Sequence, residues 1–523
     1  MGKLTIQQIQ TILHNRTKND KFTTLKDMPK PSEFKDIQKA TNRIIEALNN
    51  DETINIVGDY DADGVTSTAI MVEFFNKAIG VEVNYIIPNR FEHGYGISAD
   101  ILELIYDGII ITVDNGISAI EASEIAKSRG LDLIITDHHT CSDILPDAYA
   151  IINPKQNDCP FPFSDICGAN VAWYLCANIK KELNLQYNLM ELFDLLTIAV
   201  VADIMPMVSL NKTIVKRGLK ELTNSKRPAI LAIKERLGLQ EITEEDIGFK
   251  IAPLINCAGR MEDASIALEF LLSFDTFEAN EHLDYLIELN ERRKKEQQLI
   301  FEDAKIQVNQ DNNVIVVASE KWNEGIIGIV ASKLCDRFKK PSFVFKIDGD
   351  VAKCSARSVD EINLYELITK VKDLTLGYGG HKGAAGLSCQ TSKIEDFKLA
   401  LNQQYHTIPK EQFIQKSPAI GELSLGDVSQ ELYDLINSFR PFGMDNSLPL
   451  FEFRDLEILN LTLIGKNKEY KKLIVGDGIS TIEVVIFQDI EKLNIGDKVS
   501  FIATITKSEF RGISYNLMLK ELL

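Results

Sequence analysis

Short runs rich in β-branched residues alternate with stretches of helical spacing along the first third of the chain. INIV, VNYII, GIIITV, LDLIIT and YAII are five such runs, and each closes on polar or glycine residues: GDYDADG, PNR, DNG, DHHT and NP. Between them STAIMVEFFNKAI and AIEASEIAKSRG place apolar residues at helical spacing. A strand that is apolar at every position is buried on both sides, so this alternation predicts a parallel sheet with helices on both faces. Ligands of such sheets gather at the carboxyl ends of the strands. The acidic and histidine residues of the region fall there, one group after another.

The pattern then changes three times. The first fifty residues, ending in RIIEALNNDE, and the stretch from about 160 to 280 carry helical spacing. EHLDYLIELNERRKKEQQLIFEDAKIQVN runs on without glycine or proline and with a fully polar middle. Such a helix reads as a solvated bridge between domains, with an ordinary surface helix as the plainer alternative. A second α/β unit follows through NVIVVASE, GIIGIVASKLC, KPSFVFK and GGHKGAAG. The last segment has a helix around SQELYDLINSF and then LFEFRDLEILNLTLIG, KKLIVGD, STIEVVIF, KVSFIATIT and ISYNLML, short strands that suggest a small barrel of the OB type. The expected division is residues 1–280, a connecting helix at 281–309, a second unit at 310–405 and a barrel at 418–523.

A length of 523 residues fits several packed units rather than one core. No apolar run is long enough to cross a membrane. The start, MGKLTIQQIQ, lacks the apolar core of a signal peptide, and Ile6 stands where a myristoylation signal wants Ser or Thr. The eight cysteines form no CxxC pair, which argues against structural zinc and disulfides and for a reducing cytoplasm. A net charge of −19 speaks against a nucleic-acid partner only weakly, because a basic groove can sit on an acidic body.

Asp59, Asp61 and Asp63 alternate in GDYDADG directly after INIV. Carboxylates so close repel one another unless a cation joins them, and hard divalent metals take such oxygen clusters. An acidic turn or a calcium loop is the alternative, but Ile70 occupies the place of the bidentate Glu of an EF-hand. Asp114 ends IITVDNG, Asp137-His138-His139 ends IITDHHT, and Asp203 follows an apolar run in VVADIMP. Four strand ends, each delivering metal-ligand chemistry, fit a two-metal site for phosphate chemistry, with Asp114 as the bridging carboxylate. No GxxxxGK[ST] loop, Ser-His-Asp set or reactive cysteine competes.

The set GDYDADG, VDNG, DHH and ADIMP resembles the DHH phosphoesterase superfamily, and GGHKGAAG resembles the motif of its companion DHHA1 domain. DYDADGVTSTA, IPNR, NCAGRM, GIIGIVASKL, SARS and RPFGMDN bring the resemblance closer to the RecJ family of exonucleases. It covers nearly the whole chain, with the motifs in order. It implies an α/β fold: a parallel-sheet DHH domain, a long helix, a smaller α/β DHHA1 domain and an OB-fold barrel. It implies Asp61, Asp63, Asp114, His138 and Asp203 as metal ligands, with Asp59 a further one, and Asp114, His138 and His139 as the catalytic core. His139 would lie beside the substrate phosphate. Arg90, Arg260, Ser355 and Arg357 would contact the DNA strand or its 5′ phosphate, and Gly379, Gly380 and His381 would form the DHHA1 phosphate motif. The charge and shape of these residue types agree with that, since arginine forks suit phosphate oxygens and glycines admit close backbone approach.

The resemblance further implies a monomeric exonuclease that degrades single-stranded DNA from the 5′ end in recombination and repair. Manganese is the first choice of metal and magnesium the alternative; single-strand binding protein and a helicase are the implied partners. The other reading in the same superfamily is a phosphodiesterase of oligoribonucleotides or cyclic dinucleotides, against which the extra barrel counts. A DHH scaffold that binds without cutting is a third class, disfavoured because every expected ligand is present. Two departures from the family pattern stand out: Trp322-Asn323 in place of a Trp-His pair, and Asn170 where glycine is common.

Overall fold

A computed structural model describes residues 3–359, 361–409, 417–465, 468, 470–487, 493–508 and 512–523. The chain opens with α1 (Ile6–Thr17) and α2 (Ile37–Asn49), and then alternates: β1 (Ile54–Val57), α3 (Ala62–Phe74), β2 (Asn84–Ile86), α4 (Ala99–Glu103), β3 (Ile109–Val113), α5 (Ile120–Ser128), β4 (Asp132–Thr136) and β5 (Ala150–Ile152). These five strands form one parallel sheet in the order β2-β1-β3-β4-β5. Every residue of β1 and β3 is buried, which is why neither alternates in sequence. The order reverses direction between β1 and β3. The crevice at that switch point is where an open α/β sheet receives its ligand.

Helices follow: α6 (Gly168–Glu182), α7 (Phe193–Ala202), α8 (Ser209–Thr223), α9 (Pro228–Leu237), the single turn α10 (Glu244–Asp246), α11 (Ala252–Met261), α12 (Ser265–Leu272) and α13 (Thr276–Gln307). One face of the sheet packs on α4 and α5 through Val57, Ile101, Ile110, Ala122, Ala126 and Ile135. On the other side α3 is buried along its whole length, against α6, α7 and α12. A buried ion network ties α3 to α7. Arg227 donates to both oxygens of Asp194 (3.0 and 3.2 Å) and to Glu73 of α3, and Ser225 donates to Asp194 at 2.7 Å. Breaking one partner of such a buried ion network costs about 3–5 kcal/mol.

The second sheet comprises β6 (Ile315–Ser319), then α14 (Glu324–Phe338), β7 (Ser342–Asp348), β8 (Val351–Arg357), α15 (Leu364–Thr369), β9 (Gly377–Gly380) and β10 (Ala384–Gln390), closed by α16 (Ile394–Tyr405). Its order is β6-β7-β8-β10-β9, parallel only between β6 and β7. Residues 30–203 and 221–416, holding both sheets, form one compact unit.

The polar middle of α13, expected as a solvated bridge, is exposed at Glu291, Arg292, Lys294 and Lys295 and packed at a few positions. Asn290 and Gln297 are buried and together hold the Arg293 guanidinium (3.0 Å each). The helix packs on α9, α11, α12 and α14 along one side, while Glu291, Arg292, Lys294, Lys295 and Gln298 are exposed on the other.

A second compact unit consists of Ser417–Leu523 together with Met1–Pro29 and Ile204–Lys220. Following α17 (Gln430–Asn437), strands β11 (Phe451–Ile464), β12 (Tyr470–Gly476), β13 (Thr481–Ile486), β14 (Lys498–Ser508) and β15 (Ser514–Leu522) close a barrel in the order β11-β12-β13-β15-β14. Phe451, Phe453 and Phe501 fill it, and Ile9 and Leu13 of α1 join the same core. The first 29 residues, placed by sequence with the parallel-sheet domain, thus pack with the barrel. Phe487 is exposed. Among the described residues no helix is long and apolar enough to cross a membrane.

Candidate metal centre

Three neighbouring strands and one helix end bring the acidic residues together. The turn after β1 carries Asp59, Asp61 and Asp63; β3 ends at Asp114; β4 ends at Asp137, His138 and His139. Asp203 comes from elsewhere. It caps the C-terminus of α7, its amide donating to the Ala199 carbonyl at 2.9 Å, so the apolar run before it is helix and not the strand expected from sequence. Among the described residues three overlapping groups could each hold an ion: Asp59, Asp61 and Asp114; Asp114, His138 and His139; and Asp63, His138 and Asp203. Asp114 and His138 each belong to two of them.

Local backbone chemistry aims each side chain. Asp61 is the N-cap of α3, and its Oδ1 accepts from the amides of Asp63 (2.9 Å) and Gly64 (3.1 Å). Asn256 of α11 accepts from the next amide, Ala62, at 3.0 Å. Asp63 receives the N-terminus of α6: the Gly168 and Ala169 amides donate to its two oxygens at 2.6 and 2.9 Å. Hydrogen bonds of that kind to a charged group are worth about 1.5–3 kcal/mol each, and the helix dipole adds to them. Asp114 takes a left-handed backbone, φ +63°. The neighbouring Asn115 holds that turn by donating to the carbonyls of Val57 and Gly58 (both 3.0 Å) and of Val113 (2.9 Å), which pins β1 to β3.

The residues fit divalent cations on their own chemistry. His138 Nε2 lies 3.2 Å from Asp114 Oδ1, 3.6 Å from Asp203 Oδ2 and 3.7 Å from Asp63 Oδ2. Burial holds the His138 imidazole below its ordinary value, against the pull of Asp63, so at neutral pH it is uncharged. A neutral ring facing three carboxylate oxygens does not balance them. Asp59 Oδ1, Asp114 Oδ1 and Asp203 Oδ2 are buried with no hydrogen-bond donor. Burial, then the neighbouring carboxylates, raises Asp59 and Asp114 well above the usual range and pushes Asp203 up to about 9. Two unit charges 4 Å apart repel by roughly 4 kcal/mol at an effective dielectric of 20, so these groups ionise together only with cations among them.

His139 is treated differently. Asp137 spends Oδ1 on the His138 amide (2.7 Å), the His139 amide (3.0 Å) and His139 Nδ1 (2.7 Å), and Oδ2 on the Ile117 amide (2.9 Å). Asp137 therefore orients and does not ligate. Burial lowers the His139 pKa, but the bond to Asp137 outweighs it and the imidazolium persists to about 9. Tyr95 Oη donates to the Asp114 carbonyl at 3.1 Å and lies 3.4 Å from His139 Nδ1. Half-buried Lys155 follows Asn153, whose amide nitrogen donates to the His139 carbonyl at 2.9 Å, and the Lys155 charge acts on both His138 and Asp203. Tyr95, Asn153, Lys155 and Asn256 were not singled out from sequence, and Asp137 was named only as the first residue of the DHH triplet. The DHH triplet itself and the asparagine of NCAGRM were the available signals.

The expected phosphate contacts divide into a near set and a far set. Arg90 lies over the Tyr60 ring, 4.0 Å from its centroid, with Nε buried and unpartnered. Arg260 donates to the Gly325 carbonyl at 3.2 Å. Burial first, then Arg90, Arg293 and Arg357, lowers it to about 10 against the pull of Asp61. Arg357 donates to Ser355 Oγ at 3.1 Å, and a Cβ on Gly328 would meet both side chains. Cations gathered this way leave room for an anion. Gly379 pairs with Gly386, which pairs with Ser355, so all three share one row and one face of the second sheet. That row is roughly 10 Å long by strand spacing. Gly379 has nothing within 4 Å of an added Cβ, and Gly380 (φ +138°) and exposed His381 continue the open edge. Gly379, Gly380 and His381 thus reach the arginines only through that row of backbone.

Both departures from the family pattern have structural roles. Asn170 closes a capping box on Cys167 at the start of α6, its Oδ1 taking the Cys167 amide (3.3 Å) and thiol (3.0 Å). Trp322 is buried with Nε1 donating to Asp303 at 2.8 Å, and Asn323 caps α14 through the Gly325 amide at 2.8 Å.

Comparison with known proteins agrees with this architecture. Three family models match: the DHH family N-terminal domain at residues 53–200, the DHHA1 domain at 311–407 and the RecJ OB domain at 421–521. The single-stranded-DNA-specific exonuclease RecJ of Bacillus subtilis is 36 % identical over 503 residues, covering 93 % of this chain and 63 % of its own length. RecJ of Haemophilus influenzae is 32 % identical over 479 residues, 86 % of this chain and 83 % of its own. The crystal structure of Thermus thermophilus RecJ in complex with Mn2+ superposes with a TM-score of 0.82 at 25 % identity, covering 94 % of this chain and 72 % of that one. The chain spans somewhat under two thirds of the Bacillus relative and most of the others, and on these matches it belongs to the RecJ family of the DHH phosphoesterases.

Proposed function

We propose that this chain is a two-metal exonuclease that hydrolyses the phosphodiester bonds of single-stranded DNA from the 5′ end, in recombination and repair. The observation that carries the reading is the sharing of Asp114 and His138 between overlapping ligand groups whose buried oxygens lack donors. Asp59, Asp61, Asp63, Asp114, His138 and Asp203 would hold two divalent ions, manganese or magnesium. Such ions would supply Lewis acidity at the scissile phosphate and a nucleophile at neutral pH.

The chain's own residues do the rest. Asp114 offers an oxygen to two of the three ligand groups from a backbone locked by Asn115. Asp137 keeps a proton on His139 Nδ1; with the ring charged, Nε2 also carries one and can donate to a non-bridging phosphate oxygen. Lys155 adds positive charge on the same side. Arg90 and Arg260 would grip the strand next to the metal centre, and Ser355, Arg357, Gly379, Gly380 and His381 would hold a terminal phosphate along the open row of the second sheet.

The matching OB domain favours a long strand over a dinucleotide as substrate. The test uses a single strand labelled at either end, a blunt duplex and a dinucleotide, each with manganese. Stepwise release of mononucleotides from the 5′ end with the duplex spared is expected. Cleavage of the dinucleotide alone would move the protein to the small-substrate branch of the superfamily.

A further inference from the structure

Two segments of the barrel unit carry a charge pattern opposite to that of the chain as a whole. The chain's net charge is −19, yet Met1–Pro29 and Ile204–Lys220, the two segments that group with the barrel, hold nine lysines and arginines against two aspartates. The second segment has no acidic residue. The fold brings the two segments together. Ser209 Oγ at the start of α8 accepts from the amides of Lys21 (3.2 Å) and Phe22 (3.3 Å), and Thr213 Oγ1 donates to the Phe22 carbonyl at 2.6 Å. The loop after α1 therefore lies along the first turns of α8, where Lys212 and Lys216 stand one turn apart. Arg16 at the end of α1 is anchored on the Ser447 carbonyl at 2.5 Å.

These cations crowd one another. Burial, then Lys216 and Arg16, lowers the Lys212 pKa against the pull of Asp20, the one carboxylate that acts on it. Lys18, Lys21, Lys26 and Lys216 are exposed, and among the described residues none of them has a carboxylate at ion-pair distance. Gathering uncompensated charge costs stability unless an anion uses it. A protein partner would want an apolar centre inside the ring of charge. Among the described residues of these two segments Ile204 is the one exposed large apolar side chain, and it stands outside the lysine group. Phosphates spaced along a flexible backbone need only the cations.

We infer that the face formed by the end of α1, the loop at 18–26 and α8 binds the sugar–phosphate backbone of DNA, as a surface separate from the metal centre. It rests on the exonuclease reading for its relevance to substrate. The test is Lys18→Gln, Lys21→Gln and Lys216→Gln combined in the full chain, bound to a labelled long oligothymidylate and to a duplex of equal length, in chelator, across a salt series. The slope of log affinity against log salt should become shallower by about 2, near 0.7 for each phosphate that the variant leaves unneutralised, with thermal melting unchanged. Weaker binding of the single strand alone marks the face as part of the substrate path; an equal effect on the duplex marks a general DNA-binding surface, and both support the inference. Slopes and affinities equal to the wild type on both DNAs would overturn it. A wild type that binds DNA through this face but releases no nucleotides would instead remove the exonuclease reading.

Discussion

Asp114 shows how much of the site is settled by single residues. A left-handed backbone at a non-glycine residue costs on the order of 1–2 kcal/mol, and Asn115 holds the turn there by donating to three carbonyls at the ends of β1 and β3 and accepting from the Ile97 amide. The return is a carboxylate shared by two ligand groups. Its cost without metal is predictable. Asp203, pushed up from 3.8 to about 9, keeps its proton in the folded chain where the unfolded chain has released it. The folded state then binds more protons, so this contribution to stability is complete below about pH 4 and lost as pH rises through 9. Asp59 and Asp114 act in the same direction. The melting temperature in chelator should therefore fall from pH 5 to 9, and saturating manganese should flatten the curve; a flat curve in chelator would contradict the assignment of repelling, buried carboxylates.

His139 gives a second test at this scale. Asp137 pushes it up to about 9 from an ordinary 6.5, so the alkaline limb of kcat/KM is expected near 9. Asp137→Asn keeps the shape and removes the charge. The limb should move down toward 6.5 while manganese stoichiometry stays the same. A limb that does not move would mean that the proton on His139 is not used.

Among the elements, helix starts and strand ends place the ligands, and here sequence was partly legible. Uninterrupted apolar runs mark β1, β3 and β4, and the polar residues after them are in the site because strands of a parallel sheet end on one side. Asp203 was read onto a strand because α7, buried from Phe193 to Val200, has no polar face and so no helical period. The polar middle of α13 was legible as solvent-facing at Glu291, Arg292, Lys294 and Lys295, but not in the packing of Asn290 and Gln297 around Arg293, which composition does not tell from solvation. Gly168 was passed over as well. An added Cβ there would lie 2.5 Å from Asp114 Cβ and Oδ1. Gly168→Ala should cost at least about a hundredfold in kcat, as displacement of a catalytic group by 1 Å does. Gly379→Ala, with nothing within 4 Å, should leave melting unchanged and weaken strand binding only. Equal kcat in wild type and Gly168→Ala would mean that Asp114 tolerates displacement.

For the whole molecule, the order of motifs foretold three folded parts, and each sheet or barrel is present. Their grouping was not legible. Residues 1–29 and 204–220 join the barrel through residues such as Ile9 and Leu13 in its core, and long-range partnership of that kind leaves no local mark in sequence. Net charge was a poor guide for the same reason: −19 is a sum over a carboxylate nest and an arginine group in one unit and two lysine-rich segments in the other. All of these features serve a single claim, that two cations sit among Asp59, Asp61, Asp63, Asp114, His138 and Asp203. Calorimetric titration of the metal-free chain with manganese, for the wild type and Asp114→Asn, tests it most directly. Two ions per wild-type chain are expected, and in the variant at most one together with a roughly thousandfold or greater loss of hydrolysis. Unchanged stoichiometry in an active variant, or a wild type that binds no manganese, would contradict it.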